Sequence, residues 1–293
     1  MTQNQINQSA WAEKWPAPAK LNLMLRITGQ RSDGYHLLQT VFQFIELCDW
    51  ITFHPVDDGR VSLQEPIPGV PESDDLTVRA AKLLKAETGC EQGVRIEVKK
   101  NLPMGGGLGG GSSDAATTLV VLNVLWGLQL SMERLMELGL TLGADVPVFV
   151  YGYSAWAEGV GEKLKRIDIP EQWFVVIKPN CHVDTREVFL SKDLTRNSKS
   201  IRIADFIAGQ HQNDCLGVVR ERYQFVKDAL VELSEFSEAR LTGTGACVFA
   251  QFDSEAAAAS AYRSLQKKWQ VYLVKGVNES PLFSKLNNGS YIS

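Results

Sequence analysis

Apolar positions recur every second residue through KLNLMLRI, residues 20–27. Leu21, Leu23, Leu25 and Ile27 share one face, which leaves Lys20, Asn22, Met24 and Arg26 on the other. Gly29 and the Asp33-Gly34 pair supply turn chemistry, and the chain returns as HLLQTVFQFI, so the pattern predicts a β-hairpin. Strand-like runs follow at residues 50–54 and 60–64. The period then changes, predicting a helix over 74–88 with Ser73 or Asp74 as cap and Gly89 as stop. Val94, Ile96 and Val98 alternate with charged residues to give another strand, which runs into a glycine-rich stretch. After it, ATTLVVLNVLWGL is apolar nearly all round and predicts a buried helix from Asp114 to Gly127.

Ser131 opens a further helix reaching about residue 142, with Gly143 as its C′ residue. Asp145 then sits at a turn before an apolar strand, stiffened by Pro147, and a strand-like stretch covers 154–159. WFVVIKP, from Trp173, starts a second unit. In it the pattern predicts a solvated loop at 196–202 and helices at 214–234 and 254–269, the latter with Lys267 and Lys268 in its last turn. LTGTGACVFAQF reads as two strands around a Thr-Gly-Thr-Gly turn, and VYLVKGV leads into an Asn/Ser-rich tail. The chain is therefore an α/β protein, with a polar tail over 1–15 and units over 16–165 and 166–293.

Composition narrows the classes of function. The chain has 293 residues, 44% hydrophobic and 22% charged, an ordinary balance for a globular protein of one large or two modest domains. A formal net charge of −4 gives no electrostatic reason to expect nucleic acid or an anionic membrane as partner. No apolar run approaches the roughly 20 residues of a membrane span, and the first fifteen residues lack the features of a signal peptide. Five scattered cysteines, never in C-x-x-C spacing, point to reduced thiols in the cytoplasm. The four histidines include no H-E-x-x-H, so a dedicated protein-built metal cluster is not expected. Oligomeric state has no signature in the sequence.

The glycine-rich stretch PMGGGLGGGSSDAA, residues 103–116, carries the strongest chemical signal. Glycine lets a backbone take positive φ and approach a ligand closely. The helix that follows offers unpaired N–H groups and the positive end of its dipole to an anion. Gly105, Gly107 and Gly110 satisfy G-x-G-x-x-G, but residues 130–137, where an acidic strand end is required, read as helix. Gly106 and Gly111 have Walker spacing, but Ser112 stands where the lysine must be. Both standard templates fail, leaving another kind of phosphate cradle or a plain glycine-rich connector. Ser112 and Ser113 can cap the helix or reach a phosphate or its magnesium. Lys20 as a solvated strand lysine, Asp145 as a turn-capping aspartate, and the Thr-Gly-Thr-Gly segment as a simple hairpin turn stay open on the pattern alone.

Three segments together, PAKLN (18–22), PMGGGLGGGSSDAA and LTGTGA (241–246), resemble the motifs of the GHMP kinase superfamily, the galacto-, homoserine, mevalonate and phosphomevalonate kinases. Within it, PAPAKLNLMLRITGQRSDGYHLLQTVFQFI and LGADVPVFVYG are similar to a branch whose acceptor is a cytidyl diphosphate sugar alcohol on a route to isoprenoid precursors. The likeness covers roughly residues 16–250. It implies an N-terminal domain like ribosomal protein S5 domain 2 and a ferredoxin-like C-terminal domain, with ATP and substrate between them. It implies that Pro103, Gly105, Gly106, Gly107, Leu108, Gly109, Gly110, Gly111, Ser112 and Ser113 wrap the ATP phosphates. Lys20 and Asp145 become the catalytic pair. Tyr35, His36 and Phe189 hold the cytosine, and Asn22, Gly243, Thr244 and Gly245 meet the rest of the substrate. Mg²⁺ arrives with ATP, with Ser112 or Ser113 as its side-chain ligand. Another small alcohol, a sugar or homoserine, is the alternative acceptor.

Overall fold

The first hairpin of the computed structural model, which describes residues 10, 11 and 13–289, is much longer than the alternation alone predicts. β1 (Trp15–Gln30) pairs antiparallel with β2 (His36–Val56), so the runs at 36–45 and 50–54 form one strand. Register shifts at Pro18/Ala19, Asn22/Met24 and Ile27/Gly29 interrupt the ladder. Such shifts twist a strand and re-aim its side chains. As a result both faces of β1 are covered, and Lys20 and Asn22 are buried rather than solvated. Trp15, assigned from sequence to the polar tail, is fully enclosed at the start of β1. The rest of that tail, residues 1–9 and 12, lies outside the described residues, apart from Ala10, Trp11, Glu13 and Lys14.

β2 is the hub of the molecule. Besides β1 it pairs with β4 (Gly93–Lys99), β5 (Ala155–Glu158) and β10 (Gln270–Val277). Beyond β4 lies β3 (Val61–Leu63), and beyond β5 lies β6 (Lys163–Arg166). On the other side β10 continues into β7 (Trp173–Lys178), β9 (Val248–Phe252) and β8 (Ala239–Leu241), so one ten-stranded sheet runs through both halves.

Helix starts follow local chemistry. α1 (Leu76–Thr88) is capped by Asp75, whose carboxylate accepts from the amides of Thr77 and Val78 at 2.9 and 3.1 Å. The cap thus falls after the expected Ser73 or Asp74, while Gly89 ends the helix in the left-handed conformation as expected. α2 (Gly110–Leu125) begins four residues earlier than its apolar face suggests. Gly109 is its N-cap, so neither Ser112 nor Ser113 caps it. α3 (Met132–Leu142) starts at the Ser131 cap, and Gly143 beyond it is extended rather than left-handed.

Residues 146–151 form a short helix, α4 (Val146–Tyr151), where an apolar strand is expected. All five residues before Tyr151 are buried, so no helical period is visible, and Pro147 suits the first turn of a helix. In the second half, α5 (Thr185–Leu190) and α6 (Ile203–Ile207) are too short to show a period. The expected helix over 214–234 breaks at Tyr223 into α7 (Leu216–Arg222) and α8 (Gln224–Ser234). α9 (Glu255–Leu265) ends before Lys267 and Lys268, leaving them in the turn that follows. The Asn/Ser-rich tail holds α10 (Pro281–Asn288), started by Ser280 and Pro281.

Three buried clusters support this frame. One lies between the sheet and α1–α4 and includes Leu282, Phe283 and Leu286 of α10. A second packs α7–α9 against β7–β9. A third, with Leu21, Met24, Leu108, Phe174, Cys247 and Phe249, joins the halves directly behind the glycine loop.

Candidate active site

The glycine loop leaves β4 and enters α2 while pressed against the turn between β8 and β9. The Cys247 amide donates to the Gly106 carbonyl at 3.1 Å. A Cβ on Gly107, whose φ is +75°, would stand 2.6 Å from the Thr242 carbonyl oxygen and 2.9 Å from that of Gly245. Only glycine fits there, because two backbones meet with no room for a side chain between them. Pro103, Met104 and Gly105 through Ser112 line a cleft whose far wall is Asp74, Asp75, Leu76 and Thr77 at the start of α1. Gly110, Gly111 and Ser112 are the first residues of α2, so their amides have no carbonyl one turn back. Such a helix start is an anion site.

Ser113 departs from expectation. It lines neither this cleft nor the next, and its amide donates to the Gly109 carbonyl at 2.8 Å. Its hydroxyl is turned into the protein and fully buried. Of the two serines, Ser112 is the one that lines both clefts.

Lys20 and Asp145 come together at the junction. The Lys20 ammonium lies 3.1 Å from Asp145 Oδ2, with Lys20 buried and the Asp145 side chain 37% exposed. The ammonium also donates to Asn22 Oδ1 at 2.6 Å and to the Gly107 carbonyl at 3.2 Å, which uses its three protons. Asn22 is held in turn: its amide nitrogen donates to Thr40 Oγ1 at 2.9 Å, and that hydroxyl donates to the Met24 carbonyl at 2.6 Å. Asn22 lines the cleft, yet both ends of its side chain are engaged within the protein. Asp145 precedes α4 without capping it, so its carboxylate faces Lys20 and the opening instead of a helix amide.

From this junction a second cleft runs past Gly243, Thr244 and Thr185 to Phe189. The Thr185 and Thr244 hydroxyls are 2.8 Å apart. Gly245 does not line it, and its amide donates to the Thr242 carbonyl at 2.9 Å, so the turn itself consumes that donor. Of the three residues expected to meet the substrate in this turn, Gly243 and Thr244 line the cleft and Gly245 does not. A third cleft shares Leu38, Ala144, Val160 and Phe189 with the second and ends at Tyr35 and His36. The His36 and Phe189 rings stack with centroids 4.9 Å apart, while Tyr35 is 62% exposed at the hairpin tip.

Sequence reasoning missed two groups. Beneath the glycine loop, Lys100 pairs with Asp49 and, at 2.7 Å, with Asp114. Asp49 also accepts from the amides of Asn101 and Leu102 at 2.5 and 2.7 Å. Burial pulls the Lys100 ammonium down, but the two carboxylates outweigh it and hold its pKa above the ordinary value. Asp114 is enclosed, and burial pushes it up to about 7 against the pull of Lys100. One of its oxygens has no partner. The second group is Arg196, expected in a solvated loop. Its guanidinium donates to the carbonyls of Phe189, Ser191 and Leu194 and to His36 Nε2. Local pattern carries no signal for either group, since the partners are 51 and 160 residues apart in sequence. Among the described residues no cluster of three or more His, Cys, Asp or Glu is arranged to hold a metal, and no helix is long and apolar enough to cross a membrane.

Known proteins match this frame throughout. The model of the GHMP kinases N terminal domain matches residues 75–153, and that of the GHMP kinases C terminal region matches 186–271. The chain is 55% identical over 272 residues to the 4-diphosphocytidyl-2-C-methyl-D-erythritol kinase of Nitrosococcus oceani, covering 93% of this chain and 97% of that one. It is likewise 55% identical over 273 residues to the kinase of that name in Methylococcus capsulatus, covering 93% and 94%. A crystal structure of 4-(cytidine 5'-diphospho)-2C-methyl-D-erythritol kinase superposes with a TM-score of 0.79 at 30% identity, over 90% of this chain and 99% of that one. Mevalonate kinase from Methanococcus jannaschii shares the fold, with a TM-score of 0.67 at 15% identity over 91% and 99% of the two chains. By sequence and by fold, the chain belongs to the 4-diphosphocytidyl-2-C-methyl-D-erythritol kinase family of the GHMP kinases.

Proposed function

We propose that this protein transfers the γ-phosphoryl group of ATP to the 2-hydroxyl of 4-diphosphocytidyl-2-C-methyl-D-erythritol, giving the 2-phosphate and ADP in the methylerythritol phosphate route to isoprenoid precursors. The observation that carries this reading is the position of the Lys20–Asp145 pair. It stands where the glycine-loop cleft opens into the cleft that leads to Tyr35, His36 and Phe189. A phosphoryl donor held at α2 and an acceptor anchored by its base at the far end would meet there.

The hydroxyl oxygen forms the new bond to phosphorus as the bond to the ADP oxygen breaks, and Asp145 takes the hydroxyl proton. Phosphoryl transfer depends mainly on positioning and charge stabilisation, so this proton can move late. Lys20, with its protons committed to Asp145, Asn22 and Gly107, orients the carboxylate. Amides of Gly110, Gly111 and Ser112 hold the transferred group's negative charge, and Gly243 and Thr244 border the acceptor's diphosphate. We assign the cytosine to Tyr35, His36 and Phe189. Magnesium, when bound with the nucleotide, neutralises phosphate charge. Ser112, which lines both clefts, is the side chain we assign to the ion. We place the boundary between the two domains near residue 165. The five unbridged cysteines support a reducing cytoplasm as the compartment.

The test is ADP release with ATP, Mg²⁺ and the cytidyl substrate, in wild type and Asp145→Asn. Turnover in the wild type with a loss of about 10²–10⁴-fold in the variant is expected. Equal rates in both would remove Asp145 as base. Turnover with homoserine or a sugar in place of the cytidyl substrate would overturn the acceptor.

A further inference from the structure

His36 is held from behind. Arg196 Nε donates to His36 Nε2 at 3.2 Å. The other guanidinium nitrogens donate to the Phe189, Ser191 and Leu194 carbonyls at 2.7, 2.8 and 3.2 Å, so the fork is anchored at the end of α5 and in the loop that follows. A guanidinium has donors only and stays charged. The ring nitrogen facing it must therefore accept, and in a neutral imidazole the proton then sits on Nδ1. Burial, together with the Arg196 charge, lowers the His36 pKa below its ordinary 6.5, so the ring is neutral at pH 7. One face of the ring is stacked on Phe189, whose own carbonyl Arg196 grips. Nδ1–H is the polar edge this arrangement leaves for a ligand in the cleft that His36 shares with Tyr35.

We propose that Arg196 is a positioning residue that makes the site select cytosine over uracil, by fixing His36 as an Nδ1–H donor. The proposal rests on assigning the base to this cleft. The two bases share an O2 acceptor but differ at N3, which is a bare acceptor in cytosine and an N–H donor in uracil. A fixed Nδ1–H bonds to the first and opposes the second, donor against donor. Without Arg196 the imidazole is free to exchange its proton between nitrogens and to offer an acceptor to uracil. Sites built around a specific hydrogen bond reject mismatched analogues strongly, because the buried group is left unpaired.

The experiment has two arms on the full chain. In the first, ¹⁵N NMR of the ligand-free wild type reads the His36 tautomer. A protonated Nδ1 and unprotonated Nε2 are expected, and an Nε2–H ring overturns the proposal while leaving the cytosine assignment intact. In the second, kcat and KM are measured for the cytidyl substrate and its uridyl analogue in wild type, Arg196→Gln and Arg196→Lys. Wild type should favour the cytidyl compound by about a hundredfold or more in kcat/KM. Arg196→Gln should raise the cytidyl KM about tenfold, keep kcat within about threefold and lose most of the discrimination. Arg196→Lys, still a pure donor, should restore it. Discrimination preserved in a folded Arg196→Gln enzyme overturns the proposal alone. A wild type indifferent to the base overturns the proposal and the base assignment together. Should the glutamine variant not fold, the lysine variant and the wild-type spectrum still decide.

Discussion

Asp49 and Asp114 share one ammonium, Lys100, yet their surroundings give them opposite roles. Asp49 is fully buried and accepts from two backbone amides as well as Lys100, so its charge is well compensated. Removing it with Asp49→Ala leaves two amides and a partly buried ammonium short of a partner, and should cost about 3–5 kcal/mol. Asp114 has Lys100 on one oxygen and nothing on the other. Burial raises it from the ordinary 3.8 to about 7. A carboxyl raised in the folded state stabilises the fold while protonated. That contribution is present below the ordinary value and is lost as the pH climbs through the folded one. Asp114→Asn cannot ionise, so its melting temperature relative to wild type should rise between pH 4 and pH 8. Thermal melts at the two pH values measure it, and a flat difference would show that Lys100 fully compensates the charge. None of this was legible in the sequence. Asp114 is one more residue in a glycine- and serine-rich motif until the fold brings residue 49 beside it.

The glycine loop shows how an element can be visible in sequence for an incomplete reason. Six glycines signal close backbone approach, and a phosphate is the natural occupant. The structure adds a second demand, since Gly107 is pinned between Lys20 and the Thr242–Gly245 turn. Gly107→Ala should therefore disturb Lys20 as well as the loop. We expect a fall of about a hundredfold or more in kcat/KM, along with a loss of stability. Gly127→Ala is the control. Its φ is also positive, at +65°, but nothing lies within 4 Å of the added Cβ. That change should cost about 1–2 kcal/mol of backbone strain and leave kcat within twofold. The hairpin and the Ser131 and Gly89 helix signals were read correctly because each depends on neighbours in sequence. α4 was missed because burial on all sides erased its period, and α5 and α6 because one or two turns are too short to display one.

Across the whole molecule, the two halves are not separable along the chain. β10 pairs with β2, and α10, the last described helix, packs into the first core through Leu282, Phe283 and Leu286. Phe283 lies against Gly152, where an added Cβ would stand 2.4 Å from its ring. Phe283→Ala should cost about 3–5 kcal/mol. The loss should appear as a lower midpoint of thermal or denaturant unfolding, with KM for ATP and for the acceptor within twofold, since Phe283 lines none of the three clefts. A change in KM larger than the change in stability would show that α10 also shapes the clefts.

Local pattern and motif determined the α/β class and the family, and gave the glycine loop and the Lys20–Asp145 pair as candidates. Each rests on residues whose meaning lies within a short window: strand alternation, a helix cap, a run of glycines, a turn. Tertiary structure alone decided that Lys20 is buried and braced by Asn22, that Ser113 and Gly245 turn inward, and that Asp49, Lys100 and Asp114 form one unit. It also decided that Arg196 stands behind His36. These are contacts between distant parts of the chain, formed when burial forces each polar group to find a partner. Which partner it finds depends on where the sheet carries it.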